Sequence, residues 1–90
     1  MEFEWDERKR QRLLDERGID LVRVARIFRG QLITEPDTRF DYGEDRYISI
    51  GKVEDEVFVL VHAQRADAIR LITAWRAGRR ARRRYQARYP

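Results

Sequence analysis

The chain has 90 residues, 42% hydrophobic and 40% charged, with a formal net charge of +4 and no cysteine. That length is one domain's worth, with a thin core in which roughly 60–65% of the unfolded surface can be buried. The composition excludes disulfides and thiolate metal sites. No apolar run approaches the ~18 residues of a membrane span, and Met1 to Asp6 lacks the basic and apolar regions of a signal peptide, so the expectation is a soluble cytoplasmic protein.

The charge is unevenly placed. Residues 1–67 carry 12 Lys/Arg against 16 Asp/Glu, whereas residues 68–90 carry 8 Arg and no acid. Such asymmetry within one small domain points to a polyanion or an acidic protein as partner rather than a neutral small molecule.

In chain order, Glu2-Phe3-Glu4-Trp5 alternates polar and apolar and predicts a short, half-buried strand with Phe3 and Trp5 on one face. Asp6 is a candidate N-cap and Gly18 a left-handed stop, which predicts a first helix over 7–17. Its apolar content is little more than Leu13 and Leu14, leaving Arg8, Lys9, Arg10 and Arg12 for solvent or a ligand. A second helix is predicted from the Asp20 cap to Gly30, with Leu21, Val24, Ala25 and Phe28 on its buried face. Gln31 to Thr34 reads as a strand stopped by Pro36, followed by a polar loop over 37–45 and a strand over 46–51. Val57–Ala63 and Ala68–Ala74 then read as the central hairpin, broken at Gln64-Arg65-Ala66-Asp67. The first of these runs is apolar on both faces, so both must be covered, by the chain's own helices or by a partner that completes the packing. A last helix over 79–88 closes the chain. The fold class is therefore α+β: a small antiparallel sheet with two N-terminal helices and one C-terminal basic helix.

That last helix violates local preferences. Gly78 occupies the cap, Arg79 and Arg80 oppose the helix dipole, and Arg79–Arg83, Arg80–Arg84 and Arg84–Arg88 are like-charge pairs one turn apart. A phosphate ligand that neutralises several guanidiniums together explains the pattern. The plainer reading is a solvated basic face with Ala77, Ala81 and Tyr85 turned to the core.

Three blocks, Trp5-Asp6-Glu7-Arg8-Lys9-Arg10-Gln11 with Glu16 to Asp20, Asp41 to Ile48, and Arg65-Ala66-Asp67 with Arg70 to Ala74 and Arg79-Arg80, resemble the BrnT family of bacterial toxins. The resemblance covers essentially the whole chain. It implies a fold similar to RelE toxins, ribonuclease activity that halts translation, and a BrnA antitoxin whose DNA-binding domain lets the complex, with a possible dimer in it, repress its own operon. Gln64, Trp75, Gly78 and Ala81 depart from the residues usual in that family.

Cleavage of RNA by its own 2′-hydroxyl needs charge stabilisation on the phosphoryl oxygens and proton transfer at two oxygens. Arg46, Arg65, Arg76, Arg79 and Arg80, with Arg83, are the candidates for holding phosphate, because the guanidinium fork matches it and stays charged. Lys9, Glu44 and Tyr85 are the candidates for proton transfer. Each has a duller counterpart: Lys9 as a helix-surface charge, Glu44 with Arg46 as an ordinary ion pair, Tyr85 as an anchor for the last helix. His62 and Trp5 read as core residues. There is no Gly-rich phosphate loop, metal-ligand cluster or nucleophile–histidine–acid trio, so no cofactor is expected. The alternative to a ribonuclease is a noncatalytic basic module that binds nucleic acid or an acidic protein.

Overall fold

A computed structural model describes residues 2–90. Five strands, β1 (Glu2–Trp5), β2 (Ile33–Pro36), β3 (Arg46–Val53), β4 (Glu56–Arg65) and β5 (Ala68–Arg76), form one sheet in the order β1-β5-β4-β3-β2. Around it lie α1 (Glu7–Arg17), α2 (Leu21–Val24) with a 3₁₀ segment at Ala25–Arg29, and α3 (Arg79–Arg88). The α+β class holds, but the sheet is mixed rather than antiparallel, because β1 pairs parallel with β5, Glu2 opposite Ala68 and Trp5 opposite Leu71. That register puts Phe3 and Trp5 on the same face as Ile69 and Leu71, where their rings join the core.

Both faces of β4 are buried, and alternation separates them. Phe58 and Leu60 join Leu21, Val24 and Ile27 under α2 and the 3₁₀ segment, whereas Val57 and Val59 meet Ala77 and Tyr85 of the α3 region. Of the two expected sources of cover, the chain's own helices or a partner, the chain's own elements cover both faces. His62 sits among the first set, its Nε2 2.7 Å from Ser49 Oγ, which in turn lies 2.7 Å from Thr34 Oγ1.

The helix expected over 21–29 is shorter than its apolar pattern suggests. It tightens after Val24 into a 3₁₀ turn, whose three-residue period lines up Leu21, Val24 and Ile27 in place of Phe28. Gly51 on β3 permits this: a Cβ there would lie 2.6 Å from Ile27 Cβ and 2.9 Å from Leu32 Cδ2. The β2 strand also starts later than expected and includes Pro36, which an edge strand tolerates because its missing N–H costs no ladder bond. The hairpin turns on two residues only, Ala66 and Asp67, so Arg65 and Arg76 belong to strands.

The first helix behaves as expected, with Asp6 accepting from Arg8 N and Lys9 N and Gly18 at φ 66°. Arg10, expected to be free, instead clamps the second helix: its Nε and Nη2 donate to the Asp20 cap at 2.9 and 3.1 Å.

Candidate active site

The β4–β5 pairing slips by one residue between Val61 and His62: Val61 faces Thr73, but His62 faces Leu71. The extra residue, Ile72, reverses the alternation of β5 from that point. Arg70 is thereby turned to the same face as Thr73 and Trp75, and a row forms across four strands, Arg46–Ala63–Arg70–Glu4.

Lys9, in the first turn of α1, lies close enough to this row to feel the charges of Arg46 and Arg70. Its pKa is held below the ordinary 10.5, first by burial and then by the charge of Arg46, with Arg12 and Arg70 adding to the effect and Asp6 opposing it. The arginines beside it are paired. Arg46 donates from Nε to Glu44 at 3.0 Å, Arg65 donates from Nη2 to the other Glu44 oxygen at 3.3 Å, and Arg70 lies 3.9 Å from Glu4. Among the described residues, Lys9 has no ion pair within 4 Å. Glu44 is held below the usual carboxylate range, above all by the Arg46 hydrogen bond; it stays charged and fixes two guanidiniums. The structure thus gathers Lys9, Glu44, Arg46 and Arg65, and adds Arg70.

The other candidates lie elsewhere. Arg76 sits opposite Phe58, donates to Glu56 Oε2 at 3.2 Å and to the Arg17 carbonyl at 3.2 Å, and so ties the end of α1 to the sheet. The Ala77 N–H bonds to the Val57 carbonyl, so the chain enters α3 six residues along β4 from Ala63, a distance of roughly 20 Å. On α3, Arg84 pairs with Glu35 and Arg82 donates to the Ala77 carbonyl. Arg79, Arg80 and Arg83 are exposed and, among the described residues, have no carboxylate within 4 Å. With Arg84 and Ala87 they line a shallow depression. Tyr85 is buried, donates its hydroxyl to the Gln31 carbonyl at 2.9 Å, and has its pKa raised chiefly by that burial.

In the 37–45 loop, sequence reasoning singled out Glu44 and missed Asp37 and Arg39. Asp37 has a fully shielded side chain that accepts from Arg39 Nε at 2.8 Å, Arg39 Nη2 at 2.9 Å, Arg39 N at 3.2 Å and the Tyr42 hydroxyl at 3.0 Å. Its own N–H bonds the Arg46 carbonyl at 2.8 Å, closing the loop at its base. Arg39, whose bonds to Asp37 are the main reason that carboxyl lies far below its ordinary range, lies 5.6 Å from the Trp75 ring, and Arg46 lies 4.1 Å from the Tyr42 ring. The loop therefore brings a fifth cation, Arg39, over the same sheet face and gives Arg46 an aromatic floor. The signal in the sequence was Pro36-Asp37, since an Asp just before a turn commonly bonds the backbone two residues on.

A family model described as the ribonuclease toxin BrnT of type II toxin–antitoxin systems matches residues 5–82. That span includes Lys9, Glu44, Arg46, Arg65 and Arg70, and stops short of Arg83 and Tyr85. No curated protein matches the chain.

Proposed function

The chain belongs to the BrnT family of ribonuclease toxins of type II toxin–antitoxin systems, and from that premise we propose that it cleaves RNA by internal attack of a 2′-hydroxyl, inhibits translation by doing so, and is neutralised by a BrnA-like antitoxin. The observation that supports this reading is the half-buried Lys9, unpaired among the described residues, near the Arg46–Glu44–Arg65 cluster and Arg70. A lysine whose pKa is lowered holds more of the neutral amine at neutral pH, and the neutral amine is the form that takes a proton. In the proposed step Lys9 Nζ accepts the 2′-hydroxyl proton and the 2′-oxygen bonds to phosphorus. The P–O5′ bond then breaks, the leaving oxygen takes a proton from water, and the hydroxide so formed recovers the proton held by Lys9. The products are a 2′,3′-cyclic phosphate and a 5′-hydroxyl.

Arg46, Arg65 and Arg70 hold the phosphoryl oxygens, where charge accumulates in the transition state. Glu44 keeps the first two in place. Substrate would enter and leave their charge-assisted contacts in competition with Glu44, and the exposed Arg79, Arg80 and Arg83 extend the grip to phosphates farther along the strand. Arg76 and Tyr85 keep structural duties in this scheme. No metal is required by it.

We read the whole of 1–90 as a single BrnT-like domain with a RelE-like arrangement, working in the cytoplasm. Among the described residues no helix is long and apolar enough to cross a membrane. The antitoxin would cover the free cations of α3 with an acidic segment, and it would supply the contact to DNA and any dimerisation of the complex. Expression in bacteria should arrest growth, and the purified chain should cut an RNA oligonucleotide to a cyclic-phosphate end with or without EDTA; Lys9→Met should abolish cutting while leaving the fold intact. Folded protein that binds RNA and never shortens it, even with ribosomes present, would leave the noncatalytic module as the better reading.

A further inference from the structure

Among the described residues two large apolar side chains face solvent, and Phe40, 70% exposed, is more open than Val22 at 38%. A lone exposed apolar residue needs no explanation, but the setting of this one does. Its neighbours on both sides are tied to one buried carboxylate: Arg39 by side chain and backbone, Tyr42 by its hydroxyl. The rings of Phe40 and Tyr42 meet edge to face at 5.8 Å, and Tyr42 in turn carries the Arg46 guanidinium at 4.1 Å. The loop thus holds an aromatic face toward water on a fixed support, and it does so at the rim of a cleft of about 510 Å³ that runs from Pro36 to Tyr47 and includes Arg46. Packing within the chain does not use that face.

We propose that Phe40 is a stacking platform for an unpaired RNA base adjoining the nucleotide whose phosphate is held by Arg46. This rests on the ribonuclease reading above and deepens it, because it names a subsite outside the reacting group. Stacking suits the geometry: every base has a π-face, the ring offers one with few rotatable bonds, and the anchored loop has little freedom left to lose when the base arrives. The ring-to-ring-to-guanidinium chain places the platform within one or two nucleotides of the cation cluster. A duplex cannot use it, since paired and stacked bases present no free face, so the subsite selects single-stranded RNA.

The test uses the full chain and a 2′-O-methyl RNA oligonucleotide, which binds without being cut, carrying 2-aminopurine. Fluorescence anisotropy gives Kd and base quenching reports stacking. Phe40→Ala should weaken binding by about 5- to 100-fold and remove the quenching, Phe40→Trp should restore both, and the salt dependence of Kd should stay as in the wild type because no phosphate contact is lost. Equal Kd for wild type and Phe40→Ala, with equal thermal midpoints, overturns the platform. If the wild type cuts natural RNA and Phe40→Ala cuts it with unchanged KM, the platform also falls while the ribonuclease reading stands. If binding depends on Phe40 yet natural RNA is never cut, the platform stands and the cleavage scheme falls.

Discussion

Replacing Asp37 with Asn tests the organisation of the whole cationic face with one atom's change. The carboxylate accepts three bonds from Arg39 and one from Tyr42. Asn retains a single acceptor oxygen and points an amide N–H₂ at donors, so the bidentate bond to Arg39 cannot survive. Hydrogen bonds to charged groups contribute ~1.5–3 kcal/mol. The Arg39 side chain is 49% exposed, so water replaces part of what it loses, and the expected cost falls near the low end, about 1.5–2 kcal/mol. For a domain this small each kcal/mol moves the midpoint by roughly 4–8 °C, giving a fall of roughly 6–16 °C in thermal denaturation followed by circular dichroism. The same substitution should weaken RNA binding, because Arg46 loses the Tyr42 ring beneath it. A double-mutant cycle isolates the cause: with Arg39 already changed to Met, Asp37→Asn should cost much less. The folded carboxyl is depressed, so this stability is present above the ordinary value of 3.8 and is lost as pH falls below it. A midpoint within about 2 °C of wild type, or full additivity in the cycle, refutes the claim that this carboxylate holds the loop.

Other substitutions probe other parts. Gly51→Ala forces a Cβ to 2.6 Å from Ile27 Cβ, about 1 Å inside an ordinary carbon contact; destabilisation of ~1–3 kcal/mol should follow, and an unchanged midpoint would mean that the 3₁₀ segment does not seat on β3 as described. Tyr85→Phe removes one bond to the Gln31 carbonyl and should cost ~1 kcal/mol while folded molecules keep their cleavage rate; a wild-type midpoint with no cleavage would instead make the hydroxyl a chemical participant. With Lys9 as base, the cleavage rate should rise with pH and level off below the ordinary lysine value of 10.5, and Lys9→Arg should lose the rate but keep affinity. A rate that declines over the same range contradicts the assignment. His62 is buried and its pKa lies below the ordinary 6.5. Below that pH the unfolded chain binds a proton the folded one refuses, so stability should drop as pH falls from about 7 toward 5; a His62→Gln variant should flatten this slope, and an equal slope in both proteins would locate the effect elsewhere.

The elements most legible in the sequence were those with strong local signals. Asp6 and Gly18 bracket α1, and Ala77, Ala81 and Tyr85 at helical spacing mark the inner face of α3. The two-sided burial of Val57–Ala63 was also readable, although not what would cover it. Three features were hidden because each depends on a distant residue. The 3₁₀ turn rests on the absence of a side chain at Gly51, the parallel placement of β1 depends on β5 being available at the sheet edge, and the bulge at Ile72 shows only in the register with β4. That bulge also turns Arg70 to the face of Trp75, whereas simple alternation puts it on the opposite one. The grouping of Lys9 with Arg46 followed from no spacing in the chain, whereas the separation of Arg76 from them follows from a strand that runs on two residues past Ala74.

The pairing of residue 2 with residue 68 has a consequence for when the molecule acquires its chemistry. During synthesis the first strand and the helix carrying Lys9 are made early, but the strand that holds Arg70 and gives β1 its only neighbour is made late. Until then Lys9 lacks the Arg70 charge that acts on it in the folded chain. On the proposed reading of Lys9 as the base, the site is incomplete until β5 has been made, so the order of synthesis itself would hold back cleavage until most of the chain exists.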